Sequence, residues 1–181
     1  MKKILVEQTY RRVDLARFEQ TFFSQAFNDA ICDPVGMRER QLVEETALDD
    51  GTVRLVTRWV AKAQLPRVLG KLAGTREISY RERSIWDPEN HTLSYEIVHP
   101  FEKQFQVRGS IHFSSTGDGV HQRLEAEVQV KIPGVRSMVE RFLEGELNKA
   151  YELKHGLMQR YLDDHAPRDA APAQSPGAID E

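Results

Sequence analysis

Strand alternation turns Glu39, Gln41, Tyr80, Glu82, Tyr95 and His99 toward an otherwise apolar face. A carboxylate among apolar neighbours is costly unless it is paired or hydrogen bonded. Such a group therefore has a structural partner or a task. Glu82 with His99 has the composition of an acid–base pair, and Tyr95 adds a phenol to it. These groups could exchange a proton with a bound molecule if they converge on it. No nucleophile with its base and no oxyanion element accompanies them. The set therefore reads as internal pairing, or as the polar end of a pocket that orients a ligand, ahead of a catalytic centre. Parity shifted by one residue would turn Glu82 outward.

The aromatic residues Trp59, Trp86, Phe105 and Phe113 share that inner parity. In a filled domain they are ordinary core, and in a hollow one they are pocket walls. Six histidines, at 91, 99, 112, 121, 155 and 165, lack metal-ligand spacing, and the single Cys32 has no companion. No metal and no internal disulfide are expected, and one cysteine fits a reducing, cytoplasmic setting. Gly117-Asp118-Gly119 is a turn with no helix behind it, so it is not a phosphate loop. No cofactor is implied. Arg11-Arg12 and the Arg38/Arg40 pair read as solvated.

Positioning these residues requires a sheet and something to cover it. Lys3 to Tyr10 alternates as a strand. Asp14 is a suitable N-cap for one helix running to about Ile31, closed by Asp33-Pro34 and Gly36. From Met37 the period becomes two. A hairpin turns at Asp49-Asp50-Gly51, and further strands span Arg76–Trp86, His91–Phe101, Phe105–Phe113 and Val120–Ile132. The chain then becomes one long helix, Val135 to Leu162, with apolar residues at three- and four-residue steps that include Phe142, Leu147 and Tyr151. Gly145 and Gly156 interrupt it, as kinks, as close contacts or as tolerated defects. Strand, helix, about six sequential antiparallel strands and a long helix define an α+β fold: a curved antiparallel sheet of about 6–7 strands wrapped on a C-terminal helix.

Charge narrows the function classes. The net charge is -3. Residues 163–181 hold five acids and one base, leaving the body near neutral. That argues against a nucleic-acid partner, which needs a basic face. No apolar run approaches a membrane span of about 20 residues. Residues 1–165 form the expected domain, and the Ala/Pro-rich acidic stretch 166–181 is expected to be disordered.

This element order resembles the START-like (helix-grip) superfamily over Met1 to about His165. Leu65 to Gly74, Glu82 to Pro88 and Pro133 to Glu144 are locally similar to the PRELI phospholipid-transfer family, and the chain also resembles a bacterial START-like family of unknown function. The resemblance implies binding, and transfer or sensing, of a hydrophobic small molecule or lipid between sheet and helix. The expected lining is Trp59, Tyr80, Glu82, Trp86, Tyr95, Ile97, His99, Phe105 and Phe113 from the strands, with Phe142, Leu147 and Tyr151 from the helix. Read from the residues, Pro66, Val68, Leu69 and Leu72, beside Arg67, Lys71 and Arg76, fit equally a lid that touches a membrane surface during exchange and an ordinary connection with its apolar side tucked on the sheet. The alternatives are a cyclase- or hydratase-type enzyme using Glu82, Tyr95 and His99, and a protein-interaction module with a filled core.

Overall fold

The computed structural model describes residues 1–65, 67, 70, 71, 75–99, 105–131, 134 and 136–165. The chain opens with β1 (Lys2–Arg11), then α1 (Leu15–Phe23) and α2 (Gln25–Cys32). β2 (Met37–Ala47), β3 (Val53–Gln64), β4 (Glu77–Asp87), β5 (Thr92–Val98), β6 (Phe105–Ser115) and β7 (Gly119–Val130) follow, and α3 (Arg136–Asp164) ends the described chain. All pairings are antiparallel, in the order β1-β7-β6-β5-β4-β3-β2. β1 and β2 are thus opposite edges of one seven-stranded sheet, and α1 and α2 carry the chain between them. The expected α+β helix-grip fold is present. The lid residues Pro66, Val68, Leu69 and Leu72 and the tail 166–181 lie outside the described residues.

Asp14 caps α1 as expected, its carboxylate accepting from the Arg17 N–H at 2.8 Å. The helix does not continue to Ile31. Ser24 is extended (φ -64, ψ 137), and its hydroxyl caps α2 by accepting from the Phe27 N–H. Serine competes with helical hydrogen bonds through its own side chain, which makes it a start signal inside an apolar period. Asn28 satisfies the break by donating to the Phe22 and Ser24 carbonyls. The kink lets Phe18 and Phe22 from one helix and Phe27 and Ile31 from the other bury together.

The rod α3 has 29 residues, about 43 Å at 1.5 Å per residue. It runs beside β1 and in the same direction. Lys2 pairs with Glu144 at 2.7 Å, Gln8 donates to the Tyr151 carbonyl at 2.8 Å, and Gln159 accepts from the Arg11 N–H at 2.9 Å. Arg17 donates to the Leu162 carbonyl at 2.7 Å. The helix backbone neighbours β1, β7, α1 and α2. It is therefore anchored over one side of the sheet, and the inner faces of β3, β4 and β5 are reached by its side chains alone. Gly145 and Gly156 make no close approach, because a Cβ at either would meet open space.

Candidate ligand recess

Ladder pairing fixes which side chains share the inner face. Thr57, Glu82, Ile97, Val107 and Val128 form one row across β3, β4, β5, β6 and β7. Leu55, Ser84, Tyr95, Gly109 and Ala126 form the next. Trp59 sits opposite Tyr80 on the other flank. Glu82 thus points inward, where the Ser84 hydroxyl donates to it at 3.2 Å. Gly109 is required here, because a Cβ would come within 2.8 Å of the Tyr95 hydroxyl, whose ring lies across that position.

Two neighbours of this row escaped the sequence reading. Lys154 enters from α3, its ammonium 4.1 Å from the centre of the Phe22 ring. Arg40 enters from β2, 5.5 Å over the Trp59 ring. Arg40 is a correction, since it was expected in solvent and is half-buried. Glu39 and Gln41 are the converse. Both are exposed, and Glu39 pairs with Arg58 at 2.5 Å on the outer surface. The cause is a register shift between Leu42 and Glu44, which sets Arg40 opposite Trp59. A bulge adds one residue and reverses every side chain beyond it.

Burial pushes the Glu82 carboxyl up, while Lys154, the Ser84 hydrogen bond and Arg40 pull it back. Burial pulls the Lys154 ammonium down to about 8, with Glu82 raising it and Arg40 lowering it further. Burial also raises the phenols of Tyr80, Tyr95 and Tyr151, with Glu82 contributing to each. Glu82 and Lys154 feel one another without forming an ion pair among the described residues. Tyr80, Glu82, Tyr95, Ile97, Tyr151 and Lys154 are all surrounded by protein and all only half-buried. Each keeps part of its surface open although it faces the helix, which makes this row the candidate ligand recess. Two donors at its β2 side, Arg40 Nε and Trp59 Nε1, are closed off from solvent and have no acceptor among the described residues.

The remaining expected residues divide. Phe113 is wholly buried in a packed cluster, its ring 5.2 Å from Phe18 and 5.0 Å from Phe22. Trp86 borders that cluster, 4.7 Å from Phe23 and 5.9 Å from Phe113. Leu147 packs on the core, and Phe142 is half-buried on α3. His99 is buried just past the end of β5. Phe105 starts β6 opposite Val130, and its side chain lies outside the described residues. Among the described residues no group of His, Cys, Asp and Glu is arranged to hold a metal ion, and no helix is long and apolar enough to cross a membrane.

A groove of about 850 Å³ lies on the opposite, outer face of the sheet and includes Val56, Arg83, Ile85, Glu96, Arg108 and Glu127. Its charges are spent on each other: Arg83 pairs with Glu96 at 3.5 Å and Arg108 with Glu127 at 2.8 Å. Exposed pairs of this kind sit in solvent and contribute little. The inner recess, where Lys154 and Arg40 have no ion partner among the described residues, is the better candidate.

A curved antiparallel sheet gripping a C-terminal helix, with polar groups in the space between, is the START-like helix-grip architecture. Solved structures agree. The fold is similar to the Zhui aromatase/cyclase from Streptomyces sp. R1128 at a TM-score of 0.66, with 10% identity over 93% of this chain and 99% of that one. It is similar to a norcoclaurine synthase point mutant from Thalictrum at 0.61, with 15% identity over 88% and 95%. It is also similar to a START superfamily protein from Mycobacterium smegmatis at 0.59, with 10% identity over 88% and 98%. At such identities the likeness is one of fold. Within that class the chain belongs to the family described as "Protein of unknown function (DUF2505)", which it matches over residues 6–162. No curated protein matches the sequence. The local similarity to PRELI gains no support from these neighbours.

Proposed function

We propose that this protein binds a hydrophobic small molecule, a lipid or an aromatic compound, in the recess between the inner sheet face and α3, and carries or senses it in a reducing cytoplasm. The observation that carries this reading is the half-buried state of Tyr80, Glu82, Tyr95, Ile97 and Tyr151, positions that a filled fold would close. Apolar surface from Ile97, Val107 and Leu147 holds the body of the ligand, and the polar row at Glu82 orients its head. Structural neighbours that include an aromatase/cyclase and a START superfamily protein support the reading. Residues Pro66, Val68, Leu69 and Leu72 would form the lid, and their basic neighbours would touch an anionic membrane during exchange.

Native mass spectrometry of the purified protein, followed by solvent extraction, tests this. A co-purifying small molecule is expected, and Ile97→Trp, which fills the recess from its floor, should abolish it while the protein stays folded. A parent protein that always emerges empty and takes up no hydrophobic probe ends the reading. One observation favours a second reading, a proton-transfer enzyme: Glu82 and Lys154, facing each other across a gap, are shifted toward neutrality from opposite sides. Groups brought toward the working pH in this way are suited to acid–base work.

A further inference from the structure

The recess has a surplus of donors. Lys154 Nζ and the hydroxyls of Tyr80, Tyr95 and Tyr151 have no hydrogen-bond acceptor among the described residues, and Arg40 forms no ion pair among them. Arg40 Nε and Trp59 Nε1 are shut away from solvent with no acceptor among the described residues. A buried donor left in this state costs about 1–3 kcal/mol, so the arrangement awaits an oxygen. Against these donors stands, among the described residues, one inner carboxylate, Glu82, already engaged by Ser84. Asp29 approaches Arg40 from α2, but it is exposed and makes no ion pair with Arg40. Two cations facing one inner acid leave the recess electropositive whether or not Glu82 is ionised.

Resting on the binding reading above, we infer that the ligand is an anionic amphiphile: an apolar, ring-bearing or chain-bearing body ending in an acceptor-only head such as a carboxylate, sulfonate or phenolate, held between Lys154 and Arg40. The head sits in the gap that keeps Lys154 from Glu82. It replaces a missing ion pair with charge-assisted hydrogen bonds, which are short and strong where water is excluded. The body lies against Trp59, Tyr95 and Ile97. A neutral ligand of equal size would leave the cations unanswered, and a cationic one would meet two like charges.

Two fluorescent probes share one body and differ in charge: 8-anilinonaphthalene-1-sulfonate and neutral N-phenyl-1-naphthylamine. Titrating each into the full chain at pH 7 should show the sulfonate binding more tightly. Lys154→Met and Arg40→Gln should each weaken the sulfonate by about 10-fold or more, the worth of a hydrogen bond to a charged group, and leave the neutral probe within about 2-fold. Glu82→Gln removes a negative charge facing the same two cations and should raise sulfonate affinity, the opposite sign to the cation variants. Arg83→Gln, in the outer groove, should change neither probe. Neutral and anionic probes binding alike, or sulfonate affinity lost in Arg83→Gln rather than in the recess variants, overturns this inference and leaves the binding reading standing. Neither probe binding overturns both.

Discussion

At the α1 end of the inner face Tyr10, Phe18, Phe22 and Phe113 close on one another until almost no surface is left. On β3, β4, β5 and α3, Trp59, Tyr80, Tyr95 and Tyr151 are as aromatic and remain half-open. Aromatic content does not separate the two regions, but hydrogen-bond satisfaction does. Tyr10 is 1% exposed because its hydroxyl donates to Gln8 at 3.1 Å and lies 3.5 Å from Gln122. Among the described residues the phenols of the recess have no such acceptor, and Lys154 and Arg40 stand among them without ion partners. A hydrocarbon edge can be buried at a gain, whereas an unanswered donor or charge resists burial. One end is therefore a core, and the other is a place that a second molecule can complete.

The largest expected effect breaks the filled end. Phe113→Ala should cost about 3–5 kcal/mol in urea denaturation, because its neighbours are locked and the void cannot collapse. Tyr151→Phe in the open end should stay within about 1 kcal/mol, since the hydroxyl it deletes has no hydrogen-bond partner among the described residues. Equal losses at the two positions would mean that the recess is packed like the core, and the distinction would fail.

The next test uses pH and concerns Lys154 at the junction. Burial holds its ammonium at about 8, against 10.5 for a free lysine. Between those values the unfolded chain binds more protons, so stability rises with pH there. Below about 8 the lysine's penalty is fully present. Glu82, which faces it, has the other sign: its penalty is absent in acid and grows as pH climbs through 4.5 toward its raised folded value. Arg40 stays charged throughout and adds to the lysine's penalty. Lys154→Met should thus be more stable than the parent at pH 7, by about 1–3 kcal/mol, and the advantage should shrink by pH 10. An advantage that is constant across that range would place Lys154 in solvent.

Much of this was legible in the sequence. The strict alternation of β4 to β7 set Glu82, Tyr95 and Ile97 on the inner face, and their ladder rows agree. Lys154 was legible but overlooked, since Leu147, Tyr151, Lys154 and Met158 follow one another at helical steps. A lysine inside an apolar stripe is the signal that finds it. Arg40 was not legible. The hairpin turn carries register correctly from Ala47 opposite Val53 back to Glu44 opposite Val56, and unbroken pairing would place Gln41 opposite Trp59. The bulge at Leu42 and Glu44 comes from a run of exposed polar residues with no packing to announce it. Ser24, by contrast, is a recognisable cap residue that an unbroken apolar period concealed.

The smallest effect compares the two ends through the helix that spans both. Gly145 lies beside Glu144, which pairs with Lys2 in the ladder row of Glu82, so it is level with the open end. Gly156 adjoins His155, whose ring nitrogen is 2.9 Å from the Thr9 carbonyl near Tyr10, so it is level with the filled end. A Cβ at either glycine meets open space, so alanine carries no steric cost. Each Gly→Ala change should add about 0.5–1 kcal/mol by removing backbone freedom from the unfolded chain. Equal gains mean that α3 is held as a helix with equal firmness over core and recess. A full gain at Gly156 with none at Gly145 would mean that the helix over the recess already spends time unwound in the ligand-free state. Adding the sulfonate probe to Gly145→Ala would then separate the cases, because a ligand that orders this segment leaves alanine less to contribute.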